Sequence, residues 1–229
     1  KNTGQNQGTA GIDINYLPAR EVTQGSSDII VAVLDHGTQL DHPDLNVSSK
    51  SYDTETGRSP SQIWGNHGTA CSGIISAKTN NNLGVAGIAP NCPVMSISNQ
   101  LMGTSDAPQK RADGFNWAWR NGASVISNSW RSSTFSELLE DAIQSAMTNG
   151  RNGLGCVVTF SAGNYDSNTV GYPARSLPDI IVVGALSLSG KRKSSTTIDN
   201  EGWWGSDYGT QLDLSLIHIS EPTRQEAIS

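Results

Sequence analysis

Five short apolar runs bounded by Gly, Asn or Pro constrain this 229-residue chain more than any other feature: "IIVAVLD" (29–35), "VMSIS" (94–98), "SVISNSW" (124–130), "CVVTFSAGN" (156–164) and "IIVVGALS" (180–187). Their apolarity suits strands buried on both faces. Between them lie segments with helical spacing, Thr69 to Lys78, Asp106 to Asn121 and Ser136 to Asn149. In the last, Ser136 is a capping residue, Leu138, Leu139, Ile143 and Met147 form an apolar stripe, and Gly150 is the stop signal. Strands alternating with helices predict right-handed βαβ units, hence an α/β fold in three layers, a parallel sheet flanked by helices. Functional groups are then expected at the carboxyl ends of the strands.

The length suits one such domain, which can bury roughly 70% of its unfolded surface; a second domain is not expected. Fifteen Lys and Arg against twenty-one Asp and Glu give a net charge of −6 with no basic run, which argues against nucleic acid or an anionic membrane as partner. No apolar stretch reaches bilayer length. The opening "KNTGQNQGTAGIDINY" lacks the charged start and apolar run of a signal peptide, so the chain is expected to begin mid-gene. Cys71, Cys92 and Cys156 cannot all pair with one another, and no CxxC spacing points to zinc. A Gly-, Asn- and Ser-rich, Lys-poor composition fits a loop-rich extracellular enzyme, secreted or at the cell surface; a monomer is expected.

Three motifs carry chemistry. Asp35 closes the run "IIVAVLD" and is followed by Gly37 and "HPDL" (42–45); taken by itself, such an Asp is more often a turn cap than a catalytic acid. His67 opens "HGTACSGIISA", whose small residues mark a helix packed tightly on its neighbours; there it could act as a general base, although a lone His is more often structural. Asn164 ends "VVTFSAGN", where its amide could donate to a developing oxyanion or simply form a turn.

In their order and spacing, with "GVAGIAP" (84–90) between the last two, these motifs resemble those of the subtilisin-like serine proteases, the subtilases. "VAVLDHGTQLDHPDL" is similar to the family's aspartate motif, "HGTACSGIISA" to its histidine motif and "VTFSAGN" to its oxyanion motif, and the resemblance runs from "NTGQ" to "YGTQLDL" (208–214). It implies that Asp35 orients His67, that His67 takes a proton from a serine hydroxyl, and that Asn164 holds the tetrahedral oxyanion. It also implies that an extended peptide pairs with the backbone of Ser129–Trp130–Arg131 and Ser161–Ala162–Gly163, beside the pocket for the residue before the scissile bond. Trp130 and Arg131 depart from the family's Leu-Gly, so a bulkier or more polar pocket entrance is expected. His36 and His42 are assigned to the loop around Asp35, not to catalysis. Cys71 matches a buried free thiol of some subtilases, with packing as its expected role. No cofactor is required for the chemistry; Asp44 with Asn81 is a thin ligand set for a structural calcium.

The family's nucleophile lies in a Gly-Thr-Ser motif, and none follows Asn164; "SSTT" (194–197) reads as a polar surface loop. From Leu214 the text "LSLIHISEPTR" shows no helix or strand pattern, and one back-translation resembles the reverse complement of a sequencing-library transposase adapter. Residues 1–213 are therefore read as a partial peptidase domain with its C-terminal part missing. Residues 214–229 are read as adapter-derived and non-native, and the chain as written is expected to be inactive. Two other readings stand beside this one: an inactive subtilase-fold module that binds peptides or serves a structural role, and, last, a nucleotide-binding domain, for which no GxGxxG or P-loop follows a strand.

Overall fold

The five runs form neighbouring strands of one sheet, but burial on both faces holds only for 30–35 and 94–98; along 123–128, 157–161 and 181–186 alternate residues stay partly exposed. The computed structural model describes residues 2–197 and 201–217. Its strands are β1 (Ile30–Asp35), β2 (Tyr52–Asp53), β3 (Val94–Ser98), β4 (Ala123–Asn128), β5 (Val157–Ser161), β6 (Ile181–Leu186) and β7 (Leu214–Ile217). They lie in the order β2-β3-β1-β4-β5-β6-β7, every pair parallel.

Parallel neighbours need crossovers, and α2 (His67–Ser76), α3 (Ala107–Arg120) and α4 (Glu137–Gly153) supply them; α1 (Tyr16–Val22) precedes β1. The chain leaves β1 for β3 on one side, then returns to β4 on the other. Right-handed crossovers in opposite directions place α2 and the α3–α4 pair on opposite faces of the sheet. Accordingly α2 packs on β1 and β3, while α3 and α4 pack on each other and on β4.

The core lies on the α3–α4 side, where Leu34, Ile97, Phe115, Ile126, Leu139, Ile143 and Phe160 are fully buried or nearly so. Phe160 stacks on Phe115 at 6.3 Å between ring centres and meets Trp130 edge-on at 5.0 Å. The cap signal of α4 is realised: Ser136 Oγ accepts the Leu139 N–H at 3.3 Å. Its stop is realised too, since Gly150 leaves helical geometry at ψ 160°. The three cysteines are free. Cys156 donates to the Ala123 carbonyl at 3.0 Å, and burial raises its thiol pKa.

Some expectations shift. The run 124–130 ends as a strand at Asn128. α1 buries no residue and β2 has only two, so neither leaves an apolar pattern to read. Leu214–Ile217, expected to have no strand pattern, extends the sheet as β7 beside β6. A short extended apolar segment can satisfy the unpaired backbone groups of a sheet edge, whatever its origin. Residues 218–229 of the tail lie outside the described residues. Among the described residues no helix is long and apolar enough to cross a membrane.

Candidate active site

β1 delivers Asp35 to the carboxyl edge of the sheet with its side chain wholly buried. The chain must then turn at once: Gly37 has φ 93°, and a Cβ there would lie 1.9 Å from the Gln62 carbonyl oxygen. The first turn of α2 rests on that turn, with the Cβ position of Gly68 only 2.4 Å from the Gly37 carbonyl oxygen. Two glycines in contact thus let the helix approach closely enough for His67 to reach Asp35.

Nδ1 of His67 lies 2.9 Å from both Asp35 Oδ1 and Oδ2. The His36 backbone N–H also donates to Oδ1, at 2.7 Å. A carboxylate held this way fixes the imidazole with its proton on Nδ1, so Nε2 is the nitrogen that can take another. The Asp35 side chain is 1% exposed and that of His67 34%, so the carboxylate is sealed while the imidazole reaches the surface. Cys71, one turn along α2, sets its Sγ 3.7 Å from His67 Nδ1 and 3.8 Å from Ser129 Oγ. The thiol expected only to pack is therefore in contact with the imidazole. Asp35, His67 and Cys71 offer ligand atoms within 4.8 Å of one another, but the nitrogen nearest the carboxylate is already committed to it.

His36 and His42 serve the loop as expected: the His36 carbonyl accepts the Trp64 N–H at 2.7 Å, and His42 Nδ1 accepts the Asp44 N–H at 3.3 Å.

The register places Leu34, Asn128 and Phe160 at one level across β1, β4 and β5. Asp35, Ser129 and Ser161 therefore leave the sheet side by side, and the segments 129–131 and 161–163 run on from adjacent strands. Asn164 follows, exposed to solvent. Beneath it lies a residue the sequence did not single out. Asp207 is fully buried, and its Oδ1 accepts the Tyr165 and Ser167 N–H groups at 2.9 Å each. Its backbone N–H donates to the Gly163 carbonyl at 2.8 Å, and a Cβ on Gly163 would lie 2.2 Å from its Oδ2. Asp166 pairs with Arg192, which lowers its carboxyl pKa, and so anchors the same loop. An Asp in the polar stretch "GSDYG" carries no periodic signal; only the return of the chain to β6 puts it there.

The expected bulk at the pocket entrance needs correcting. Trp130 turns inward, 6% exposed, against Phe160 in the core, because an indole after a buried strand gains more from that contact than from water. Arg131 is the exposed member of the pair, with its guanidinium 4.3 Å over the Tyr165 ring.

At the other end of α2, Asp44 is buried. Its Oδ1 accepts the Asn81 amide at 2.6 Å and its Oδ2 the Val85 N–H at 3.3 Å. Gly84 (φ 46°) brings the loop so close that a Cβ would lie 2.3 Å from Oδ2. This cradle around one carboxylate and one amide fits the chemistry of a small hard cation, provided the Asn81 amide turns its oxygen inward.

Residues 26–214 match the model described as the subtilase family. The chain is 34% identical over 181 residues to subtilisin NAT of Bacillus subtilis subsp. natto, covering 76% of this chain and 45% of that protein. It is 30% identical over 223 residues to a calcium-dependent protease of Trichormus variabilis, covering 85% and 32%. It thus spans less than half the length of either relative. Among solved structures, proteases from Pseudoalteromonas arctica superpose with a TM-score of 0.73 at 25% identity, over 95% of this chain and 70% of theirs.

Proposed function

Because the chain belongs to the subtilase family, we propose that Asp35 and His67 are two members of an Asp-His-Ser triad of a serine endopeptidase that acts on polypeptides and is secreted or held at the cell surface. The observation that carries this reading is the contact of His67 Nδ1 with both oxygens of a buried carboxylate. Nε2 takes the proton of a serine hydroxyl as its oxygen attacks a peptide carbonyl; His67 then gives that proton to the leaving amine. The acyl-enzyme left behind is hydrolysed by water activated at the same nitrogen. Asp35 holds the ring and stabilises the imidazolium, and Asn164 donates to the oxyanion beside the peptide strand laid along 129–131 and 161–163. The enzyme works as a monomer. A calcium at Asp44 and Asn81 belongs to this reading as a structural ion with no part in the reaction.

The nucleophile in this reading is a serine outside these 229 residues, residues 1–213 are part of the peptidase domain, and residues 214–229 derive from an adapter. Pairing of Leu214–Ile217 with β6 is compatible with that origin, since an open edge accepts any extended apolar segment. Two measurements test the reading. Sequencing the source DNA past codon 213 is expected to give Ala-Pro-Gly and later Gly-Thr-Ser; codons for "LIHISEPTR" in genomic DNA would sink the adapter origin. A fluorophosphonate probe should label the resulting longer product and not the 229-residue chain. Labelling of the shorter chain would overturn the absent nucleophile, and failure to label the longer one would favour the inactive module.

A further inference from the structure

Along the same carboxyl edge, a cleft of about 290 Å³ opens between the loop 101–108 and the segment that follows β4. Its lining includes Arg111, Arg131 and the hydroxyl residues Thr104, Ser132, Ser133 and Thr134, and no carboxylate.

Arg111 rises from α3 and is 2% exposed. One terminal nitrogen donates to the Met102 carbonyl at 3.2 Å, the guanidinium lies 4.8 Å over the Trp130 ring, and Nε has no hydrogen-bond partner. The acid whose field reaches it, Glu55, is bound to Lys110 at 2.7 Å and to the Gln100 N–H at 2.9 Å. Burial is the larger influence on this guanidinium and lowers its pKa, with Glu55 opposing. A buried cation without a carboxylate partner is costly, and an anion reaching it from the cleft relieves that cost.

Arg131 meets the cleft from the opposite wall. Its stem fills the space over Gly171, whose Cβ position would lie 3.1 Å from Arg131 Cβ and 3.5 Å from Cδ. Gly171 bonds to Ala162, and Ser132 to Tyr172, so this stem stands between the two segments assigned to the peptide. NH1 lies 3.5 Å from Oδ2 of the buried Asp207, an oxygen without a hydrogen-bond partner, and the side chain is 44% exposed. One long contact leaves the remaining N–H groups of the fork available to a ligand.

Resting on the reading of this edge as a peptide site, we propose that the cleft lined by Arg111 and Arg131 selects an acidic side chain of the bound polypeptide. Its carboxylate accepts from the guanidinium groups. The preference follows from this chain's own two arginines, which line the cleft with no carboxylate beside them in its lining.

The test is fluorescence anisotropy on the 229-residue chain, using labelled hexa-alanine peptides in which one Glu, or its isosteric twin Gln, is moved through each position. At one position Glu should bind about tenfold more tightly than Gln at low ionic strength, the size of one charge-assisted pair. That ratio should shrink with added salt and fall to about one in Arg131→Gln. Arg111→Met removes a buried cation and Arg131→Gln the cation facing buried Asp207, so both are read beside their melting curves, while Arg131→Lys keeps that charge and should retain a Glu preference. Equal binding of Glu and Gln peptides at every position would overturn the assignment and leave the peptide site standing. A Glu preference unchanged in Arg111→Met and Arg131→Gln would also overturn it, and no binding of any peptide would overturn both.

Discussion

Alanine placed at two glycines of one helix should have opposite effects. Gly68 and Gly73 both lie in α2, but a Cβ on Gly68 would stand 2.4 Å from the Gly37 carbonyl oxygen, whereas one on Gly73 would meet nothing within 4 Å. Carbon–oxygen contacts settle near 3.3 Å, so Gly68→Ala must lift the first turn of α2 by about 0.9 Å. Such overpacking costs about 1–3 kcal/mol, against which alanine's helix propensity returns up to about 1 kcal/mol. With the full return, a net loss of up to about 2 kcal/mol lowers the Tm of a domain this size by up to about 8 °C. Gly73→Ala keeps only the gain and should raise Tm by about 2–4 °C. The same lift would stretch the 2.9 Å bond between His67 and Asp35 to about 3.8 Å, beyond hydrogen-bonding range. The assays are thermal unfolding by circular dichroism and the proton NMR signal of His67 Nδ1–H, which should be lost in Gly68→Ala and kept in Gly73→Ala. A Gly68→Ala variant as stable as the parent, with that signal intact, would refute the reasoning.

Three further outcomes are expected. Phe160→Ala empties the ring site between Phe115 and Trp130 and should cost about 3–5 kcal/mol in denaturant unfolding; a loss under about 1 kcal/mol would show that the site collapses on the void. For Asp53, burial pushes the carboxyl pKa up, but hydrogen bonds from Trp64, Ser98 and Thr56 outweigh it and the net shift is down. With its folded pKa below the unfolded value of about 3.9, its contribution is present above about pH 4 and lost as pH falls through the folded value. Asp53→Asn should therefore flatten the acid limb of stability against pH, and an unchanged limb counts against it. Calcium at 100 times its Kd should stabilise the chain by about 2.7 kcal/mol, an effect reversed by chelator and absent in Asp44→Asn; equal melting with calcium and with chelator removes that ion from the reading.

Local pattern made much of this protein legible. Short apolar runs between turn residues marked the strands, and the Ser136 cap, the stripe behind it and the stop at Gly150 bound α4 without help from the rest of the chain. The places of Asp35, His67 and Asn164 were readable because each sits at a strand end or helix start that local pattern marks. Asp207, the inward turn of Trp130 and the exposed cation of Arg131 were not, because each depends on what a distant segment brings beside it. Neither was the tail's pairing, which β6 offers to whatever reaches its edge. The sequence by itself determined the parallel sheet and which residues stand at its strand ends, since periodicity and steric demand act over a few neighbours. Only the tertiary structure decided which charges are buried, paired or left facing the cleft. Burial and Coulomb energy depend on separation in space, and residues 111, 131 and 207 acquire theirs only when the sheet closes.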